Sequence, residues 1–152
     1  TIFLTKFILT YYKKYKLEKA LGKSGMHDID YMDGFLFEEY LSVLFKKLGY
    51  KPQVTKRVGD YGADLILKGK KKIVVQAKRY QGKVGLKAVQ EVYSAKAFYN
   101  CDEAWVVTNS IYTNQAKNLA KACNVKLIDR EGLQKMILKA NPEEKPREFY
   151  GW

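Results

Sequence analysis

One histidine, two cysteines and three prolines are spread over 152 residues. A single His27 removes Ser-His-Asp, Cys-His and multi-histidine metal arrangements unless it serves alone, and it reads as an ordinary loop residue. Cys101 and Cys123 have neither CxxC spacing nor a histidine partner, so a reduced cytosolic pair is expected rather than a disulfide or zinc site. Acids are scarce: 16 Asp and Glu stand against 28 Lys and Arg, a formal charge of +12. The shortage is sharpest over residues 65–90, which hold eight Lys or Arg and no Asp or Glu. Such a patch favours phosphate backbones or an anionic membrane surface, and charge alone does not separate the two.

Long hydrophobic runs are also missing, since none reaches the ~20 residues needed to span a bilayer. Ile2-Phe3-Leu4 and Phe7-Ile8-Leu9, followed by Tyr11, Tyr12, Lys13, Lys14 and Lys16, nevertheless resemble the last turns of a membrane helix with a basic flank. A helix docked on the domain or on a partner is the alternative. No small-residue cleavage site follows, which argues against a secretory signal. With Thr1 as its first residue the chain reads as a piece of a longer one, cytoplasmic, with a tether to the inner face of the membrane through residues N-terminal to it left open.

The length and the 47% hydrophobic content fit one domain with one core. Residues 1–31 read as a helix over 2–21 and a loop, 32–140 as the core domain, and 141–152 as a tail broken by Pro142 and Pro146. Asp33 is placed to cap a helix over 34–48, with Phe37, Leu41, Leu44, Phe45 and Leu48 as its apolar stripe. Strands are expected over 51–57, 63–68 and 72–79, then a helix over 86–99, a doubly buried strand over 104–108, a helix over 114–123, a strand over 125–128 and a helix over 131–138. The antiparallel meander followed by β-α-β-α predicts an α/β fold, a mixed sheet flanked by helices.

Between Lys51 and Gln90 only Asp60 and Asp64 are acidic, among eleven basic residues. A carboxylate isolated in a basic, strand-forming stretch looks like a metal ligand facing a polyanion. Gln76 and Lys78 interrupt an apolar run at alternate positions. With a hairpin centred near Lys71, facing residues sum to about 142, so Asp64 faces Lys78, Ile66 faces Gln76, and Asp64, Gln76 and Lys78 share one face. This set suits phosphodiester hydrolysis: Asp64 and the Gln76 amide oxygen offer oxygen ligands to a hard divalent cation, and Lys78 orients or deprotonates water and steadies developing charge. Glu38, bordering the buried stripe of its helix, is the third acidic candidate, although a first-turn glutamate also complements the helix dipole. Asp60 reads as a turn former and Gln90 and Glu91 as a solvated helix face, while Asp64 as a strand-starting turn residue and Lys78 as an edge-strand lysine are the plainer alternatives. Lys70, Lys71, Arg79, Lys83 and Lys87 are the candidates for tracking DNA phosphates.

Met32-Asp33-Gly34-x-x-Phe37-Glu38, Leu48-Gly49-Tyr50, Gly59-Asp60-Tyr61-Gly62-Ala63-Asp64-Leu65 and Val75-Gln76-Ala77-Lys78-Arg79-Tyr80 resemble the catalytic domain of Mrr-type restriction endonucleases. Val89-Gln90-Glu91, Val107-Thr108-Asn109-Ser110 and Leu127-Ile128-Asp129-Arg130 extend the resemblance over about residues 32–138. It implies the restriction-endonuclease-like fold of the PD-(D/E)xK superfamily, Mg2+ dependence and cleavage of double-stranded DNA, in some members modified DNA. By motif, Asp64 corresponds to the metal-binding aspartate, Gln76 and Lys78 to the Q-x-K pair, and Glu38 to the glutamate of the first core helix. Gln76 stands where the broader superfamily has an acid, which leaves the number of metal ions open. A binding or membrane-tethered module with a vestigial site, and a repair or junction nuclease, are the rival readings; a homodimer is left open.

Overall fold

A computed structural model describes residues 1–21, 25–55 and 61–142. The last residues of the first expected strand, Gly59 and Asp60, and most of the expected tail therefore lie outside the described residues. The elements are α1 (Ile2–Leu21), α2 (Met26–Asp30), α3 (Gly34–Lys47), β1 (Lys51–Val54), β2 (Leu65–Lys68), β3 (Ile73–Lys78), α4 (Leu86–Phe98), β4 (Glu103–Thr108), α5 (Asn114–Cys123), β5 (Lys126–Ile128) and α6 (Arg130–Ala140).

The strands form one sheet in the order β1-β2-β3-β4-β5. β1, β2 and β3 pair antiparallel, and β3, β4 and β5 parallel, so the polarity changes at β3, as the mixed-sheet reading expects. Alternation sends Leu65, Leu67, Val75, Trp105 and Val107 to one face, under Phe37, Leu41 and Phe45 of α3 and Leu133 of α6. Ile66, Val74 and Val106 go to the other, under Val89 and Val92 of α4 and Ala116 and Ala120 of α5. β4 is buried from Ala104 to Thr108, as a strand covered on both faces must be. Tyr112 lies under the second layer, its hydroxyl 2.8 Å from the Val106 carbonyl and 2.9 Å from that of Ile128, and burial pushes its pKa up.

Local chemistry sets the ends. Asp33 Oδ1 accepts the Leu36 N–H at 2.7 Å and starts α3; Thr113 and Asp129 do the same for α5 and α6. Two sequence expectations fail. The stretch before Tyr31 is not all loop: Asp28 accepts the Gly25 N–H at 3.0 Å, and the short α2 buries Ile29 completely. The β2–β3 register is also two residues tighter, with Leu65 facing Val75 and Ile66 facing Val74. Lys72 itself lies outside the ladder: its N–H donates to the Asp102 carboxylate at 2.7 Å and its Nζ to the Tyr99 carbonyl at 2.7 Å, and β3 begins at Ile73.

Candidate active site

A two-residue slip preserves strand parity, so Gln76 and Lys78 still emerge toward α4, as does the side of β2 to which Asp64 belongs. Asp64 now lies near Gln76 rather than facing Lys78. Its N–H donates to the Val75 carbonyl at 2.9 Å, and its Oδ2 accepts the Ala77 N–H at 2.7 Å. The carboxylate thus continues the β2–β3 ladder beyond its last backbone pair and is fixed at the edge of the site.

Gln76 is 3% exposed, and its amide nitrogen donates to Glu91 Oε2 on α4. A carboxylate only accepts, so this contact fixes the amide's orientation and turns Oε1 away from Glu91. Gln76 Oε1 is buried and has no hydrogen-bond partner among the described residues. Leaving such an acceptor unmet costs about 1–3 kcal/mol. Lys78 Nζ sits 3.7 Å from the same Glu91 Oε2, and Lys87 Nζ 3.9 Å from Oε1. Glu91 therefore joins the amide and both lysines, where the sequence pattern points to a solvated face. Its partner in placing the site is Gly62: at φ +83°, a Cβ there would lie 2.8 Å from the Glu91 carbonyl oxygen. Only glycine lets the loop before Asp64 press this closely on α4.

Glu38 is half-buried in α3. α3 ends beside Lys51, at the end of the sheet where β3 begins, so its first turns, with Glu38, lie toward the end that carries Lys78. Among the described residues no group of three or more Asp, Glu, His or Cys is arranged to hold a metal ion; the oxygen donors that the fold brings to neighbouring strand positions are the Asp64 carboxylate and the Gln76 amide. Lys83 and Lys87 are exposed on the site side, in and after the β3–α4 connection. Lys70 and Lys71 occupy the hairpin tip at the opposite end of the sheet, where Lys71 pairs with Glu103 at 3.5 Å.

Next to Lys78, past the ends of β3 and β4, lies a cleft of about 550 Å3 lined by His27, Asp30, Tyr31, Arg79, Tyr80, Asn109 and Arg130. Arg130 grips Asp30 through two contacts of 2.6 and 2.9 Å, Asn109 donates to Asp30 at 3.0 Å, and Arg79 donates to the Asp30 carbonyl at 3.1 Å. The Arg130 hydrogen bond, opposed by burial, holds the Asp30 carboxyl below its ordinary pKa and lifts that of Arg130. Arg79, expected to track DNA phosphates, is thus tied partly to α2. Nothing in the sequence singles out Asp30, though Asn109 and Arg130 lie in stretches that carry the resemblance.

The model of the Mrr catalytic domain, described as Restriction endonuclease, matches residues 12–137. The type IV methyl-directed restriction enzyme EcoKMrr of Escherichia coli K12 is 30% identical over 133 residues, covering 81% of this chain and 44% of the enzyme. The chain thus spans less than half of that relative. Among solved structures it is similar to AspBHI, a DNA modification-dependent restriction endonuclease (TM-score 0.60, 20% identity, 84% of this chain and 36% of the other). MspJI restriction endonuclease, solved with a 27-mer oligonucleotide, gives a TM-score of 0.53 at 21% identity over 84% of this chain and 33% of the other. A protein of unknown function, AF1548, gives 0.62 at 15% identity, with 72% and 67% covered. The mixed sheet has the restriction-endonuclease fold, and the chain belongs to the Mrr family of restriction endonuclease catalytic domains.

Proposed function

We propose that this domain hydrolyses phosphodiester bonds of double-stranded DNA using Mg2+, with modified DNA as its substrate class. The observation that carries the reading is the buried, unmet Gln76 Oε1 beside Asp64, an acceptor that a hard cation satisfies. Restriction endonuclease domains of this superfamily are metal-dependent; the choice of Mg2+ rests on the all-oxygen donors and on phosphate as substrate. Asp64 and Gln76 Oε1 are the proposed ligands, and Glu38, at the same end of the sheet, is the further acid assigned to the metal.

When bound, the cation supplies an activated water and neutralises charge on the phosphate. The residues do the rest. Lys78 holds and orients that water and meets the charge that builds on the phosphate oxygens. Glu91 is a positioning residue, keeping the Gln76 amide turned and the Lys78 ammonium in place. Lys83 and Lys87, exposed in and just after the β3–α4 connection, and Arg79 attract the backbone. Modified DNA is supported by the methyl-directed relative and the modification-dependent structural neighbour.

The test incubates the purified protein with methylated and unmethylated duplexes in Mg2+ or EDTA. Cleavage in Mg2+ alone, faster on the methylated duplex, is the expected result. Equal rates on both duplexes remove the substrate class, and duplex binding without cleavage in any divalent cation replaces the enzyme with a binding module.

A further inference from the structure

The side chains of α1 are sorted along its axis. Ile2, Phe3, Leu4, Phe7, Ile8 and Leu9 dominate the first turns, each more than half exposed, with Thr5 and Lys6 between them; the stem of Lys6 is long enough to carry its ammonium toward the interface. Tyr11, Tyr12 and Tyr15 come next, also more than half exposed, interleaved with and followed by Lys13, Lys14, Lys16 and Lys19. The apolar residues surround the helix instead of forming one stripe. A protein groove covers one face of a helix, whereas this distribution calls for an apolar medium on all sides. The order apolar, tyrosine, lysine is that of an acyl layer, its aromatic interface and an anionic headgroup layer.

A second feature meets the first at the foot of α1. Lys14, Lys46, Lys47 and Lys51 line a cleft of about 550 Å3 between α1, α3 and β1, with Ser42, Val43, Tyr50 and Pro52 and no acid. Among the described residues no salt bridge engages Lys14, Lys46 or Lys51. From Leu9 to Lys14 is five helical steps, ~7.5 Å at ~1.5 Å each, which matches the ~5–8 Å polar layer of one leaflet.

We propose that this end of the domain docks on an anionic phospholipid bilayer, with the first turns of α1 in the acyl layer and the cleft lysines on lipid phosphates. No described helix is long and apolar enough to cross a membrane; the stretch from Ile2 to Leu9, ~10 Å long, is the part assigned to the acyl layer. Lys51 pairs with Lys68 where β3 begins, and Lys78 lies at the other end of that strand, roughly 16 Å away. Docking therefore leaves the Asp64–Lys78 end facing away from lipid. The proposal stands independently of the nuclease reading.

The test is co-sedimentation with vesicles of phosphatidylcholine alone and with vesicles containing roughly one-third phosphatidylglycerol, the anionic surface that lysines recognise. Two double variants, Phe3→Ser with Phe7→Ser and Lys46→Glu with Lys51→Glu, are compared, and duplex affinity is measured in parallel. The expected result is binding to the anionic vesicles only, reduced about tenfold or more by either double variant, with duplex affinity unchanged within about twofold. Binding to neither vesicle, equal binding to both, or self-association through α1 that persists with vesicles present would each overturn the proposal. A parallel loss of duplex affinity in the lysine variant would assign the cleft to nucleic acid instead.

Discussion

Asp64→Asn and Asp64→Ala remove the same charge but differ in what they leave for the Ala77 N–H. In the wild type the carboxylate accepts the Ala77 N–H at 2.7 Å. Asparagine keeps a carbonyl oxygen for that N–H, whereas alanine leaves the donor unmet at a half-buried position, a loss of about 2 kcal/mol. At ~2–4 °C per kcal/mol for a chain of this size, Asp64→Ala should melt ~4–8 °C below wild type in EDTA and Asp64→Asn within ~3 °C of it. Mg2+ at ten times its Kd should add about 1.4 kcal/mol to the wild type, or ~3–6 °C, and nothing to either variant. Both variants should lose cleavage. Thermal melts in EDTA and in Mg2+, run beside single-turnover cleavage, give every number needed. If Asp64→Asn falls as far as Asp64→Ala in EDTA, the charge itself is structural; if it retains the wild-type Mg2+ shift, Asp64 is not a ligand.

Lys78→Ala should slow single-turnover cleavage by at least ~100-fold with little loss of duplex affinity, since other cations remain; an unchanged rate would end the catalytic assignment. Gly62→Ala puts a Cβ 2.8 Å from the Glu91 carbonyl at φ +83° and should cost about 2–4 kcal/mol in urea denaturation, against which a loss under ~0.5 kcal/mol would count decisively. Neutralising Lys83 and Lys87 should weaken duplex binding and flatten its log–log salt dependence by ~0.9 for each phosphate no longer neutralised, while neutralising Lys70 and Lys71 should leave the slope alone; the reverse pattern would move the DNA path to the hairpin tip. Because the folded pKa of Asp30 is lowered, its contribution is present above the ordinary ~3.9 and lost as pH falls through the lowered value. Asp30→Asn should therefore cost no more than ~1 kcal/mol at pH ~7, both groups being partly exposed, and the gap to wild type should close in acid; a gap that widens there would contradict the ion pair.

Strand polarity is legible in the sequence because it depends on local spacing: short apolar runs joined by Gly69 and the lysine tip must fold back, and runs separated by helical stretches must return parallel. The shared face of Gln76 and Lys78 is legible for the same reason, since parity survives a slip of two. The register itself is not, because a slip of two keeps every side chain on its face, so alternation alone does not choose between the two pairings. Glu91 is hidden because Lys87 at i−4 is what a solvated helix face also shows; what turns it inward is the close seat of Gly62, a contact across the fold. Asp30, Asn109 and Arg130 carry no common pattern, being brought together only when the ends of β3, β4 and β5 meet α2.

The span of sequence that each cluster draws on sets an order of events in folding. Asp64, Gln76, Lys78 and Glu91 lie within a hairpin and the helix that follows it, so their geometry closes over short loops at small entropic cost. The Asp30–Arg130 clamp joins residues one hundred apart and must wait for β4, β5 and the start of α6. Backbone amides of β2 and β3 should therefore gain protection from hydrogen exchange before those of α2, and a chain stalled during synthesis after α4 would already carry its candidate catalytic groups in place, before the clamp that locks its first core helices to its last one exists.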